Sequence, residues 1–233
     1  MENKNYPGQK NIPGLIQKII NNIPECSVFY ELYAGSAEVS KIVSVGSTSK
    51  PMIFLNDINP DVNTYFTVLQ GAIFSNKDAL DLLQSKVLSL ASTDTFIFID
   101  PPYLHTTRPN NTRLYKFEMT QEQHEQMLLA VLELNCNIMV IHPDCELYNK
   151  YLCTYRQVKL KIRYNNKTSI EKLYMNYPLP DKLQVKQYTG ADCWDRQRIK
   201  RKGDRLIEKI NKLPGQEKQY ILNRIKQQFQ TLD

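Results

Sequence analysis

The chain of 233 residues has no apolar run approaching the roughly 20 residues needed to span a bilayer. Its opening stretch, Met1 to Lys10, is polar and lacks the apolar core of a secretory signal. Both absences point to the cytoplasm and away from a membrane partner. Cysteine is scarce: Cys26, Cys136, Cys145, Cys153 and Cys193 are odd in number and form no C-x-x-C pair. That spacing fits neither a zinc site nor a disulfide framework, so reduced thiols and no metal are expected. Internal repeats and low-complexity segments are missing too. Residues 1–194 carry no net charge.

The charge that is present is concentrated. From Asp195 to Asp233 eleven Lys/Arg stand against five acids, which accounts for the whole net charge of +6. A local basic field suits a polyanion; a solvated helical face is the alternative reading from charge alone. Hydrophobic residues make up 42% and charged residues 23%, so a normal globular core can be buried.

Short apolar runs alternate with helical patterns in the first half. Ser27 to Leu32, Pro51 to Leu55, Thr95 to Ile99 and Cys136 to Ile141 read as buried strands. Helical spacing is expected from Ala37 to Val43, from Pro60 through Val62, Tyr65, Phe66, Leu69 and Ile73, from Lys77 to Leu90, and from Gln121 to Leu134 behind a Thr120 cap. Continuous apolar strands alternating with helices predict a mostly parallel sheet covered on both faces. Beyond residue 150, Val158, Leu160, Ile162 and Tyr164 alternate with Lys159, Lys161 and Arg163. With a turn at Asn165-Asn166 and a return from Ile170 to Tyr177, this predicts an edge β-hairpin. Two helices broken at Leu213-Pro214-Gly215 close the chain. The expected division is a catalytic domain over 1–190 and a basic helical hairpin over 191–233.

Three motifs fall at consecutive strand ends, where open α/β sheets bind ligands. Asp100-Pro101-Pro102-Tyr103 follows the Thr95–Ile99 run. A nucleobase amino group is a poor nucleophile because its lone pair is delocalised into the ring. The Asp100 carboxylate and the Pro101 carbonyl can each take one of its N–H hydrogen bonds and localise that pair. Pro101 and Pro102 fix φ and hold the carbonyl still. Tyr103 can stack on the base, worth about 1–3 kcal/mol, and a base enters such a pocket only by leaving the duplex. A Pro-Pro turn with a capping Asp is the plainer alternative. Glu31-Leu32-Tyr33-Ala34-Gly35-Ser36-Ala37 follows the first strand, and its glycine permits close backbone approach at a helix N-terminus. Asp57 follows the second strand, where a carboxylate can accept both ribose hydroxyls of a nucleoside cofactor.

These motifs, in this order, resemble the Dam-like DNA adenine-N6 methyltransferases, particularly the short forms carried by phages and mobile elements. Tyr6-Pro7-Gly8-Gln9-Lys10 is similar to the family's N-terminal motif, whose Tyr and Lys help hold the cofactor. Residues 31–37 resemble its cofactor loop, Asn56-Asp57 its ribose-binding acid, and Asp100 to Tyr103 its catalytic tetrapeptide. Leu104 to Arg108, Glu118-Met119-Thr120 with His124, and Gln197 to Lys202 also resemble the short forms. The resemblance implies a Rossmann-like, seven-stranded mixed sheet, S-adenosylmethionine as cofactor and N6-methyladenine as product. It implies cofactor contacts at Tyr6, Lys10, Tyr33, Ala34, Gly35, Ser36, Ala37, Asp57 and Asp100. Ala37 stands where the family usually has Gly. The interval from Asp57 to Asp100 leaves no room for the target-recognition domain of larger relatives and shows no clear third-strand acid for the cofactor's adenine.

Target contacts must then come from elsewhere. His105, Arg108, Arg113 and Lys116 lie on the loop after the tetrapeptide, Lys159, Lys161 and Arg163 on the hairpin, and Arg198, Lys200, Arg201 and Lys202 on the tail. Such cations would follow a phosphate backbone and supply affinity, not sequence choice. A disordered surface loop is the alternative for residues 104–117. His124 reads as a polar helix-face residue and His142 as a residue just past a strand; neither is given a catalytic role. The expectation is a monomeric enzyme that methylates adenine in DNA. The rivals are methylation of cytosine N4 or of RNA adenine, and an inert nucleic-acid-binding module.

Overall fold

The computed structural model describes residues 14–108, 113–164 and 167–229, with the backbone alone at 163, 164, 167 and 168. The chain divides into two compact units, one ending at Tyr188 and the other beginning at Thr189. The first is built on seven strands: β1 (Val28–Leu32), β2 (Met52–Asn56), β3 (Ile73–Ser75), β4 (Thr95–Ile99), β5 (Asn137–Pro143), β6 (Arg156–Tyr164) and β7 (Lys167–Met175). They form one sheet in the order β3-β2-β1-β4-β5-β7-β6. Every pairing from β3 to β5 is parallel, and β7 runs antiparallel to both β5 and β6. This is the Rossmann-like, seven-stranded mixed sheet that the resemblance implied, with the hairpin at one edge.

Alternation along the strands explains the two layers of helices. Phe96 and Phe98 of β4 and Met139 and Ile141 of β5 point to one face, packing with α1 (Leu15–Ile20), α2 (Glu38–Gly46) and Phe66 of α3 (Asn63–Phe66). Ile97, Ile99, Ile138 and Val140 point to the other face. They meet α4 (Ala79–Leu83), α5 (Lys86–Ser89), α6 (Gln121–Leu132) and Tyr148 of α7 (Glu146–Tyr151). A strand apolar on both sides must be covered on both sides, which is why these runs lack polar alternation. Thr120 opens α6 with a capping box: its side chain accepts from Gln123 N–H, and the Gln123 side chain accepts from Thr120 N–H.

Two expectations are corrected. The helix expected to reach Ile73 stops at Phe66, and Ile73 lies on β3 instead. Gly71, at φ 81, turns the chain between them. The single helix expected from Lys77 to Leu90 is two short ones, because Ser85 leaves helical geometry and caps α5 by accepting from Leu88 N–H. The second unit consists of α8 (Cys193–Asn211) and α9 (Gly215–Phe229), broken at Lys212 to Pro214. Neither helix contains a buried residue.

Candidate active site

The chain leaves β1 toward β2 on one side and enters β5 from β4 on the other, so the strand order reverses between β1 and β4. Ligands of open α/β sheets bind in the crevice at such a reversal, outside the carboxyl ends of the strands. Leu32 of β1 pairs with Ile99 of β4. The two following segments, from Tyr33 and from Asp100, therefore start side by side, and Asp100 N–H donates to Leu32 O at 3.4 Å.

The turn after β1 is shaped by its main chain. Tyr33, Gly35 and Ala37 adopt positive φ of 60, 51 and 54°, a region that side chains disfavour. Asp57 stabilises it: one carboxylate oxygen accepts from Gly35 N–H at 2.8 Å and the other from Asn59 N–H at 2.9 Å. Burial raises the Asp57 pKa, with those two N–H groups opposing. Glu31, fully buried, accepts from both the backbone N–H and the hydroxyl of Ser40 at the start of α2. Burial, opposed by Ser40 and assisted by the charge of Asp100, pushes Glu31 up to about 7. The Ala37 methyl points into the apolar core beside α1 and α2.

The segment after β4 is held by side chains. The Tyr103 hydroxyl donates to Glu171 of β7. Leu104 N–H donates to His142 Nε2 at 3.0 Å. Arg108 donates to the Tyr103 carbonyl and to both oxygens of Glu118. Glu118 also accepts from Leu114 N–H at 2.8 Å and Tyr115 N–H at 2.9 Å. Burial alone would raise the Glu118 pKa, but the hydrogen bonds from Arg108, Tyr115 and Leu114 outweigh it and bring it down to about 2. Lys116 reaches Asp61 on the far side, beyond β2, at 2.8 Å.

Between the two segments lies a cavity of about 360 Å³, within the size range of small-molecule sites. Tyr33, Asn56, Ile58, Asp78, Leu80 and Pro102 line it, with Lys116 to Met119 on the loop side. Four consecutive parallel strand ends thus contribute. The Tyr33 hydroxyl is buried with no hydrogen-bond partner among the described residues. Asp78 accepts from Leu80 N–H at 2.9 Å as the cap of α4, and its other oxygen has no such bond among the described residues. Asp78 is a third-strand acid that the motif reading did not find. The signal was a carboxylate just after a short apolar pair, Ile73-Phe74, which helical spacing had absorbed.

The expected site residues separate into groups. Tyr33 and Pro102 line the cavity, whereas Ala34, Gly35, Ser36, Ala37, Asp57, Asp100, Pro101 and Tyr103 are not among its lining residues, and residues 34–37 and Asp57 are buried. Tyr6 and Lys10 lie outside the described residues, as do the hairpin turn at Asn165-Asn166 and the side chain of Arg163. One loop cation is corrected: Arg108 is buried in its pair with Glu118, with 1% of its side chain exposed, and is no surface contact for DNA. Lys116 is exposed but paired with Asp61, and the Arg113 guanidinium donates to the Lys116 carbonyl. His105 lies 3.8 Å from Glu118. Lys159 and Lys161 are exposed on β6, and Arg198, Lys200, Arg201 and Lys202 are exposed on α8, with Arg198 paired to Asp195 and Lys200 to Asp204. The two histidines are also corrected: His124 and His142 are completely buried, and His142 lies within β5 rather than past it.

Residues 73–137 match the model of the D12 class N6 adenine-specific DNA methyltransferases. That segment holds β3, β4 and the tetrapeptide, so the likeness read from the motifs is supported where the proposed chemistry sits. No curated protein matches the chain in sequence. Among solved structures, the chain is similar to a putative rRNA methylase from Clostridium thermocellum (10% identity, TM-score 0.45, 68% of this chain and 94% of that one). It is also similar to M. capricolum TrmK in complex with S-adenosyl-homocysteine (10%, 0.45, 91% and 93%). A third is a precorrin-6y C5,15-methyltransferase from Geobacter metallireducens (13%, 0.46, 75% and 96%).

Proposed function

We propose that the chain transfers the methyl group of S-adenosylmethionine to the N6 amino group of adenine in DNA. One observation carries this reading: Pro102 of the Asp100-Pro101-Pro102-Tyr103 tetrapeptide lines a nucleoside-sized cavity at the ends of β1 to β4, and Asp100 N–H is bonded to Leu32 O at the end of β1. The residues fit the cofactor. Ile58, Leu80 and Pro102 offer apolar walls for a planar base, Asp78 an acceptor for an amino group, and Tyr33 a buried hydroxyl without a partner. The Asp57 oxygens each keep a second lone pair for a ribose hydroxyl. When bound, S-adenosylmethionine supplies an electrophilic methyl group on a sulfonium.

The remaining chemistry belongs to the chain. Asp100 accepts one N–H of the target amine and the Pro101 carbonyl accepts the other, which frees the nitrogen lone pair for attack; the N–C bond would form as the methyl–sulfur bond breaks, with S-adenosylhomocysteine left behind and one amine proton lost after methylation. Two prolines in succession keep that carbonyl from turning away. Tyr103 stacks on the base while its hydroxyl stays on Glu171. The target must be extruded from its helix to reach the site. Arg113, Lys159, Lys161, Arg163 and the α8 cations Arg198, Lys200, Arg201 and Lys202 supply the phosphate contacts, so binding is salt-dependent. Lys116 can join them, because an exposed ion pair such as its bond to Asp61 is worth only about 0–1 kcal/mol.

The test is direct. The protein is incubated with DNA and isotopically labelled S-adenosylmethionine, and the DNA is digested to nucleosides. Labelled N6-methyladenine is expected. Label in N4-methylcytosine, label only when RNA replaces DNA, or no binding of S-adenosylmethionine at millimolar concentration would each overturn the reading.

A further inference from the structure

We infer that His142 is a positioning residue for the tetrapeptide, acting through one tautomer of its neutral imidazole. The inference rests on the proposed function for its catalytic consequence and on geometry alone for its structural part. β5 outruns β4: the last β4 residue, Ile99, pairs with Val140, and β5 continues to Pro143. The residues past Val140 therefore flank the segment that leaves β4. His142 is the polar one among them, and its Nε2 lies 3.0 Å from Leu104 N, the first amide after the tetrapeptide.

A backbone N–H can only donate, so Nε2 must carry a lone pair. The ring proton is then on Nδ1, which lies 2.9 Å from the Pro143 carbonyl oxygen, an acceptor. Both contacts agree on the same tautomer. The surroundings hold the ring still. It stacks on Tyr148 with centroids 3.8 Å apart and planes 5° from parallel. Tyr148 OH lies 2.8 Å from His124 Nδ1, and Tyr103 and His124 meet the His142 ring edge-on at 5.6 and 5.7 Å.

The charged and titratable neighbours are identifiable. Lys172 stands opposite on β7 with its ammonium 2.8 Å from Asp144. Cys145 Sγ lies 3.7 Å from Nδ1. Glu171 is opposite Pro143 and occupied by the Tyr103 hydroxyl. Burial, with the charges of Arg108 and His105, depresses His124 to about 4, so it is neutral at neutral pH. The acceptor role of Nε2 toward Leu104 N–H itself requires the neutral ring. Protonating Nε2 would place two donors face to face and release Leu104. Tyr103 is thus fixed on both flanks: by its own hydroxyl and by the next amide.

Three measurements on the full chain decide the matter. Nitrogen-15 spectra of histidine-labelled protein at neutral pH should show His142 as the Nδ1–H tautomer, and Leu104 N–H should exchange slowly. H142F keeps the ring stack and removes the acceptor; it should lower kcat by about 10- to 100-fold, as a misplaced reacting group does, while S-adenosylmethionine affinity is unchanged. H142Q, whose side-chain carbonyl can accept from Leu104, should recover most of the loss. An Nε2–H tautomer, undiminished kcat in H142F, or equal losses in H142F and H142Q would overturn the inference. If the wild type transfers no methyl group, the proposed function fails, and the tautomer and the Leu104 exchange rate alone decide the positioning role.

Discussion

The turn that leaves β1 and the segment that leaves β4 border one cavity, yet they are held in place by different physics. The first is a main-chain construction: Tyr33, Gly35 and Ala37 are left-handed, Gly35 N–H is held by Asp57, and Ala34 N–H by Asn56 O at the end of β2. The second is a side-chain construction, in which Glu171 takes the Tyr103 hydroxyl, His142 the Leu104 N–H, and the Arg108–Glu118 pair the Tyr103 carbonyl and the Leu114 and Tyr115 N–H groups. The difference suits what each must do. The first adds little bulk beside the cavity and is fixed with the N–H groups of Ala34, Gly35 and Ala37 already bonded. The second is stiffened from behind by ionisable anchors, as the proposed holding of a flipped base would require.

Breaking the second construction should have the larger effect. Arg108→Ala leaves Glu118 ionised and without its cation, and losing one partner of a buried pair costs about 3 kcal/mol. Urea unfolding should report that loss together with a collapse of methyl transfer. Arg108→Lys should fall between, because an ammonium lacks the planar fork that reaches Tyr103 O and Glu118 together.

Acid should separate the two constructions by sign. Glu118 is depressed to about 2 in the folded chain, so its stabilisation is complete above its unfolded value near 4.5 and is lost as pH falls toward 2. Glu31 is raised to about 7, so its contribution grows as pH falls from about 7 to its unfolded value near 4.5. Hydrogen exchange should therefore show the β1 turn tightening between pH 7 and 4.5 and the 103–118 segment loosening below 4.5. Both segments loosening together across the whole range would contradict the distinction.

Ala37→Gly should have the smallest effect. Relief of a left-handed side chain returns about 1–2 kcal/mol. Loss of a buried methyl removes about 0.8 kcal/mol, and the added freedom of the unfolded chain about 0.5–1 kcal/mol. These nearly cancel, so thermal melting should move only slightly. A large stabilisation would show that the strain at φ 54° exceeds what core burial of the methyl offsets.

The same contrast explains what was legible in the sequence. The β1 turn, Asp57 and the tetrapeptide were legible because glycine, proline and strand-end acids act locally, through φ and hydrogen-bonding capacity. The apolar runs that became β1, β2, β4 and β5 were legible because burial on both faces leaves an unbroken apolar string. β3 was not: it has three residues, its Ile73 and Phe74 are about half exposed at the sheet edge (50% and 52%), and their spacing continued the preceding helical pattern. Asp78 was lost with it. Arg108, His124 and His142 were misjudged for another reason. Whether a loop cation faces phosphate or a buried Glu118, and whether a histidine is a surface residue or an anchor, is settled by elements far apart in the chain. The basic count of the 104–117 loop therefore overstated its charge available to DNA, whereas the cations of α8 lie on a helix with no buried residue.

The central claim is that Asp100 takes a hydrogen bond from the target amine, and Asp100→Ala tests it most directly. Single-turnover methyl transfer to DNA should fall by on the order of 100-fold or more, while calorimetry shows S-adenosylmethionine binding retained. Transfer at the wild-type rate in that variant would contradict the account.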